Sequence, residues 1–401
     1  MSSLRSGRIA IGSDAASPGV LTLRAQDAIV TTLRPGQALP FADRSIDAID
    51  CGPFLDGFSG SAVLKLLLEC RRSLVSGGTL AVDDARCCEL LAPPAALAGF
   101  EAEQGRLVKP DRRVRGEPLV SIAIPAYNAR FFGASLESAL AQTYRNVEVV
   151  VCDDSPGPEI ETLVRERARG GALRYERNVT RLGPRANFMR CVERSQGEFV
   201  KLLCDDDCLA PHCVARQIDA FRQAEDIALA TSRRRRIDAA GRELPDQPAT
   251  VPLLGEDTVV HGRTLANAMV MAGLNIVGEP STVLFRRADL APPRYFGFAA
   301  APGHGIIDMA TWTALLLKGD AVYLRDALSS FRIHAGQRQH DPAKARRNIE
   351  SIRELQAAWL GLALHEGLEP DRVRTKPFPP AEAVWRIAPL LGFAARAIER
   401  P

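Results

Sequence analysis

Three consecutive carboxylates, Asp205, Asp206 and Asp207, follow the apolar run Phe199-Val-Lys-Leu-Leu203 and precede Leu209 and Pro211. The run reads as a short buried strand, and Pro211 suits the first turn of a helix. Adjacent carboxylates repel one another, so a fold keeps them together at a strand end when a cation sits among them. Oxygen ligands suit a hard dication, Mg2+ or Mn2+, and such ions usually hold substrate phosphates as well. A solvated acidic turn is the bland alternative. A second acidic pair, Asp153-Asp154, ends another apolar run, and the turn Pro125-Ala-Tyr-Asn128 ends a third.

The elements that must position these groups follow a strand–helix rhythm. Strands are expected over 119–124, 147–152, 173–175 and 199–203, and helices over 131–142, 158–169 and 184–195. Such alternation implies right-handed crossovers and a mostly parallel sheet. Ligands bind beyond the carboxyl ends of the strands in such sheets. All three marked turns belong to that edge, and their coincidence makes one site.

Five segments carry a family resemblance over roughly 90 residues: Val120-Ser-Ile-Ala-Ile-Pro-Ala-Tyr-Asn128, Glu148-Val-Val-Val-Cys-Asp-Asp-Ser155, Asn178-Val-Thr-Arg-Leu-Gly183, Gly197-Glu-Phe-Val-Lys-Leu-Leu-Cys-Asp-Asp-Asp207 and Leu209-Ala-Pro211. In order and spacing this resembles the family 2 glycosyltransferases. The resemblance implies the α/β GT-A fold, Rossmann-like with flanking helices, and an inverting, metal-dependent transfer of sugar from a nucleotide donor to a hydroxyl. It implies that Pro125, Tyr127, Asn128, Asp153, Asp154, Asn178, Arg181 and Asp205 hold the donor nucleotide. Asp206, Asp207 and His334 would hold Mn2+ or Mg2+. Glu279 and Arg332 would serve the acceptor side or the diphosphate. Asp308, at the start of a helical pattern, would be the catalytic base, taking the acceptor hydroxyl's proton. The chain departs from the family in two respects: Cys204 falls where many members have the first Asp of the metal motif, and Ile307 falls where members usually have the Glu that precedes the catalytic Asp. Bland alternatives stand beside these roles. Asp153 and Asp154 suit an N-cap or Asx turn, Asp308 an N-cap, and Glu279 a salt bridge to Arg286 or Arg287. Lys201 reads as structural, and Arg233 to Arg236 as a solvated edge. His304 and His340 are weaker candidates.

Residues 118–340 would be the GT-A domain. Residues 1–92 resemble the second half of a class I S-adenosylmethionine methyltransferase, through Leu39-Pro-Phe-Ala-Asp43, a helix over 61–74 and the turn at Gly77-Gly78. The glycine-rich loop and acidic residue that would hold the cofactor are missing, so a truncated, non-catalytic α/β domain is expected. Residues 93–117, rich in charge, are expected to be a linker. Residues 341–401 are expected to be helical, with an amphipathic stretch over 381–397 that suits membrane contact, packing or dimerisation.

The 401 residues suggest two or three domains, and 46% apolar with 25% charged residues describes a soluble globular chain. A net charge of +3 gives no ground for nucleic-acid binding. Nine cysteines without paired spacing fit free thiols in a reducing cytosol rather than zinc or disulfides. Without a signal peptide or a long apolar run, the expected place is the cytoplasm, with room for peripheral contact on the inner face of the cytoplasmic membrane. The expected partners are a UDP-, GDP- or dTDP-sugar and a glycan or lipid-linked acceptor, with room for a homo-oligomer. The expected setting is bacterial surface polysaccharide synthesis. Two alternative functions are a non-catalytic sugar-nucleotide-binding or scaffold protein and a nucleotidyltransferase. The latter needs a glycine-rich phosphate loop that Pro125-Ala-Tyr-Asn128 does not supply.

Overall fold

The structure, a computed structural model, describes residues 8–14, 17–25, 28–33, 38–51, 59–82, 91, 93–103, 105–167, 173–290, 306–335, 342–365, 367–380 and 384–391. Contacts divide the chain into two units, residues 1–112 with 359–365, and residues 113–358 with 366–401.

The first unit holds β1 (Arg8–Asp14), β2 (Ser17–Ala25), β3 (Ala28–Leu33), β4 (Ile46–Cys51), helix α1 (Gly60–Ser73), β5 (Leu74–Val82), β6 (Glu101–Glu103) and β7 (Arg106–Val108). They form one sheet in the order β3-β2-β1-β4-β5-β7-β6. Strands β1, β4 and β5 run parallel, while β1, β2 and β3 form an antiparallel meander. A dinucleotide-type cofactor loop needs a strand that feeds a helix N-terminus. Here the partner next in sequence to the first strand is an antiparallel strand. Helix α1 starts on Ser59, whose hydroxyl accepts from the Ala62 N–H. Near its end Arg72 donates to the carbonyls of Leu39 and Phe41 and to Asp43 and Glu69. That one guanidinium explains why the Leu39–Asp43 segment and the helix read as a linked pattern.

The expected linker over 93–117 is corrected in part. Strands β6 and β7 lie within it, and the buried Lys109 donates from Nζ to the Leu74 carbonyl. Charged residues hid two three-residue strands too short to show a period.

The second unit begins with β8 (Val120–Ala126), α2 (Ala129–Leu140), β9 (Val147–Asp153), α3 (Glu159–Arg167), β10 (Leu173–Arg177), α4 (Pro184–Arg194) and β11 (Phe199–Leu202). It continues through β12 (Cys208–Leu209), α5 (Cys213–Gln223), β13 (Ile227–Ile237), β14 (Glu243–Leu244), β15 (Thr258–Val260), α6 (Gly262–Ala272) and β16 (Leu284–Arg286). Last come α7 (Ile307–Leu316), β17 (Asp320–Arg332), α8 (Pro342–Gly361), β18 (Arg372–Pro377) and β19 (Arg386–Pro389). The sheet order is β10-β9-β8-β11-β16-β13-β17-β15-β18-β19, with β12 on β17 and β14 on β13.

Strands β10, β9, β8 and β11 are all parallel. Every residue of β8 is buried, as expected of a strand covered on both faces. Phe132 and Leu136 of α2 are fully buried in its core, each contributing about 1.5–3 kcal/mol by leaving water. Beyond β11 the sheet is mixed, because β16 enters antiparallel between β11 and β13. This is an α/β architecture, parallel in its first half and mixed in its second. Strand β9 lies on one side of β8 and β11 on the other, so the carboxyl ends of β8 and β11 flank a topological switch point.

Two readings of the later chain change. Strand β17 is one 13-residue strand, where the apolar runs over 321–324 and 327–331 read in the sequence as two short strands. Against β13 its partners jump from Leu324 to Ala327 and then to Ser329 as β13 advances one residue at a time, from Ser232 to Arg234. The second change is in the tail: Arg386–Pro389 is a strand paired with β18, not part of a helix over 381–397. The helix-based ground for membrane contact or dimerisation therefore goes. Residues 381–383 and 392–397 of that stretch lie outside the described residues. No helix among the described residues is long and apolar enough to cross a membrane.

Candidate active site

The acidic run after β11 is tied directly to the turn after β8. Asp205 Oδ2 accepts from the backbone N–H groups of Tyr127, at 2.6 Å, and Asn128, at 2.7 Å. Burial raises the Asp205 carboxyl to about 6, and the two N–H donors oppose that rise. Asp205 thus braces the loop through Oδ2. Asn128 caps α2, its side-chain oxygen accepting from the Arg130 N–H. Pro125 is buried inside β8. Of the four, Tyr127 alone is exposed, at 44%. The guanidinium of Arg181 stands 4.6 Å from the centre of its ring.

Asp153 and Asp154 are both buried. Asp153 makes the Asx turn weighed for it, accepting from the Ser155 N–H, and its other oxygen accepts from the Tyr175 hydroxyl at 2.8 Å. Asp154 holds the 178–183 loop. One oxygen accepts from Asn178 Nδ2 and the Leu182 N–H, and the other accepts from the Gly183 N–H. Gly183 then caps α4 with φ of 80°, a conformation that favours glycine. Both carboxylate oxygens of Asp153 and the Nδ2 of Asn178 meet protein partners, which gives these residues a supporting role at the rim. Asn187, which no motif flags, completes the network. Its Oδ1 accepts from Asn178, and its Nδ2 donates to the Cys152 carbonyl at 2.9 Å. A buried polar residue on an otherwise ordinary helix turn carries no sequence signal; only the fold brings it to the strand ends.

Next to this loop, Cys204 Sγ and carboxylate oxygens of Asp206 and Asp207 lie within 4.8 Å of one another. Asp207 Oδ2 accepts from the Ser281 hydroxyl at 2.6 Å and Oδ1 from the Arg332 N–H at 3.0 Å. Burial, with the Asp206 charge added, raises the Asp207 carboxyl well above the carboxylate range. Crowded, desolvated carboxylates of this kind fit a dication, which would restore their ionised forms. His334 Nε2 is 3.2 Å from Asp206 Oδ2, and its ring lies against Phe131. Arg332 is corrected from diphosphate clamp to brace. Its guanidinium donates to the carbonyls of Asp206 and Asp238 and to Cys208 Sγ, and the residue is buried.

A second acidic centre forms where α7 begins. Asp308 Oδ1 accepts from the Met309 N–H and Oδ2 from Asn275 Nδ2 at 2.6 Å. Burial raises this carboxyl to about 6; the Glu279 charge adds to the rise, and the two donors oppose it. Asn275 also bonds both the N–H and the carbonyl of Gly278. The indole of Trp312 donates to the same carbonyl. Gly278 has φ of 124°, and an added Cβ would meet the Thr282 side chain at 2.8 Å. Glu279 pairs with the buried Arg234 rather than with Arg286 or Arg287, so one member of the presumed solvated arginine edge belongs to the core. Lys201 is structural, donating to Gln217 in a fully buried position. His304 and His340 lie outside the described residues.

The strand ends and loops from Pro125 to Glu279 fall within one stretch of known type. Residues 121–290 match the model of glycosyl transferase family 2. The glycosyl transferase segment thus covers β8 to β16 and stops short of Asp308 and His334. A chondroitin synthase of Escherichia coli is 33% identical over 127 residues, covering 31% of this chain and 18% of that protein. A UDP-Glc:alpha-D-GlcNAc-diphosphoundecaprenol beta-1,3-glucosyltransferase of Escherichia coli is 30% identical over 111 residues, covering 27% and 43%. The chain spans less than half the length of the curated relatives it matches, from 17% to 43%. Among solved structures, S. aureus TarS 1-349 in complex with UDP aligns at a TM-score of 0.44 and 19% identity, covering 63% of this chain and 67% of that one.

Proposed function

We propose that this chain transfers a sugar from a nucleoside-diphosphate sugar to a hydroxyl of a glycan or lipid-linked acceptor, with inversion at the anomeric carbon. The observation that carries the reading is the bond of Asp205 to the Tyr127–Asn128 turn. It joins the acidic run after β11 to the loop after β8, at the switch point where such sheets take their ligands. The family match over 121–290 supports the same reading. The names of two relatives, a chondroitin synthase and an undecaprenol-linked glucosyltransferase, support a polysaccharide or lipid-linked acceptor.

In this mechanism Tyr127 and Arg181 offer a flat pair of groups for the nucleotide base. Asp206, Asp207 and His334 would hold a dication, whose chemistry would be to offset negative charge on the departing diphosphate. Asp308 accepts the proton of the acceptor hydroxyl as that oxygen attacks. Asn275 aims its carboxylate and favours the ionised form a base requires. Residues 1–112 act as a non-catalytic partner domain.

The test uses the full chain with UDP-, GDP- and dTDP-sugars and Mn2+. Slow hydrolysis of one donor is expected, together with a rise in melting temperature when that donor binds. Asp308→Asn is expected to lower turnover by at least ~100-fold while keeping the donor-induced rise. Normal transfer by that variant overturns the base assignment. Absence of both binding and hydrolysis with every donor overturns the transferase reading.

A further inference from the structure

The dication group contains one ligand type that a hard-ion site does not require. Cys204 Sγ stands with the Asp206 and Asp207 oxygens inside a 4.8 Å span. At the tetrahedral angle, sulfur bonded at ~2.3 Å and oxygen at ~2.1 Å stand about 3.6 Å apart. The group closes on a single ion with side-chain movements of up to about 1 Å. The Cys204 backbone is fixed for this. Its N–H donates to Ser281 Oγ at 3.0 Å and its carbonyl accepts from the Ser135 hydroxyl at 2.9 Å. Ser281 in turn donates to Asp207, so one serine sets the backbone bearing the sulfur and one of the carboxylates.

We propose that Cys204 is itself a metal ligand and that its sulfur turns the site toward the softer dications Co2+, Zn2+ and Cd2+, to a lesser degree toward Mn2+, and away from Mg2+. The inference rests on the transferase reading for the presence of a dication, and on Cys204 for its choice. Carboxylate oxygen suits Mg2+ and Mn2+ alike, whereas thiolate sulfur discriminates strongly against Mg2+. On binding, the S–H bond breaks, an S–metal bond forms and the proton passes to solvent.

The test measures metal binding directly on the metal-free full chain, without turnover. Cd2+ or Co2+ titration is expected to produce a sulfur-to-metal charge-transfer band in the ultraviolet at one equivalent. Calorimetric titration is expected to give Cd2+ at least ~100-fold tighter than Mg2+. Cys204→Ser is expected to lose the band and about tenfold or more of the Cd2+ affinity, while Cys208→Ser keeps both. Cys204→Asp is expected to bind Mn2+ without a band and to close most of the gap to Mg2+; it also serves as the folded control if the serine variant melts early. A band that survives Cys204→Ser, or Mn2+ binding at this site with no band in the unaltered chain, overturns the inference and leaves the transferase reading intact. Absence of binding by every dication overturns both the inference and the metal part of that reading.

Discussion

Asp308 combines burial with two hydrogen-bond donors, and these pull its titration in opposite directions. Its carboxyl, at about 6, is protonated at low pH, where it cannot accept a proton from an acceptor. Turnover is therefore expected to climb through about pH 6 and to level above it. Asn275→Ala removes the 2.6 Å donor and leaves the repulsion of Glu279, whose own partner is Arg234. The rising limb of the pH–rate profile is expected to move to higher pH, with about a tenfold loss of rate at pH 6 and a smaller loss at pH 8. A merely structural asparagine would lower the plateau without moving the limb. The same titration bears on stability. Because the folded carboxyl lies above its ordinary value of 3.8, the native state holds the extra proton between about pH 4 and 6. The resulting stabilisation is complete below about pH 4 and is lost as pH rises through 6. Asp308→Asn is expected to be more stable than the parent chain near pH 7.5 by ~1–3 kcal/mol and nearly equal to it near pH 4, as read by urea unfolding at both.

Among the elements, the 178–183 loop depends on one carboxylate for its shape. Asp154→Ala leaves the Leu182 and Gly183 N–H groups without their acceptor, at a cost of about 2–3 kcal/mol in chemical denaturation. Faster hydrogen exchange is expected at those two amides, while β8 amides such as Ile122 and Ile124 stay protected. Elements of this part were the legible ones. Apolar runs ending in Pro125, Asp153 and Asp205 announce strands that stop at one rim, and Pro184 announces the start of α4. What the pattern could not supply is which polar atoms pair. Asp153 and Asp205 carry the same side chain as Asp206, yet they bond to Tyr175, Tyr127 and Asn128 within the protein. The positions of those partners, which the pattern does not carry, decide what each carboxylate braces. The tail shows the opposite limit. Val384, Ile387, Leu390 and Leu391 fit a helical stripe, but pairing with β18 determines the outcome over 386–389, a tertiary effect that overrides local period.

For the second unit as a whole, the last two strands are structural members rather than an appendage. Strand β15 lies between β17 and β18, and β18 is covered by β19. Truncation after residue 366 strips β15 of one partner and leaves an unpaired edge beside the core. The shortened chain is expected to elute with aggregates in size-exclusion chromatography and to melt at least ~5 °C below the full chain.

Strand β17 also connects two distant jobs. At one end it pairs with β15, and at the other its Arg332 steadies Asp206 and Asp207. Between them Arg325, Asp326 and Leu328 have no counterpart in β13, and the strand holds slack there. Loss of a single residue from that slack, with the pairing to β15 held, would draw Ile333 into the place of Arg332 and take both the guanidinium off the Asp206 carbonyl and the backbone N–H off Asp207.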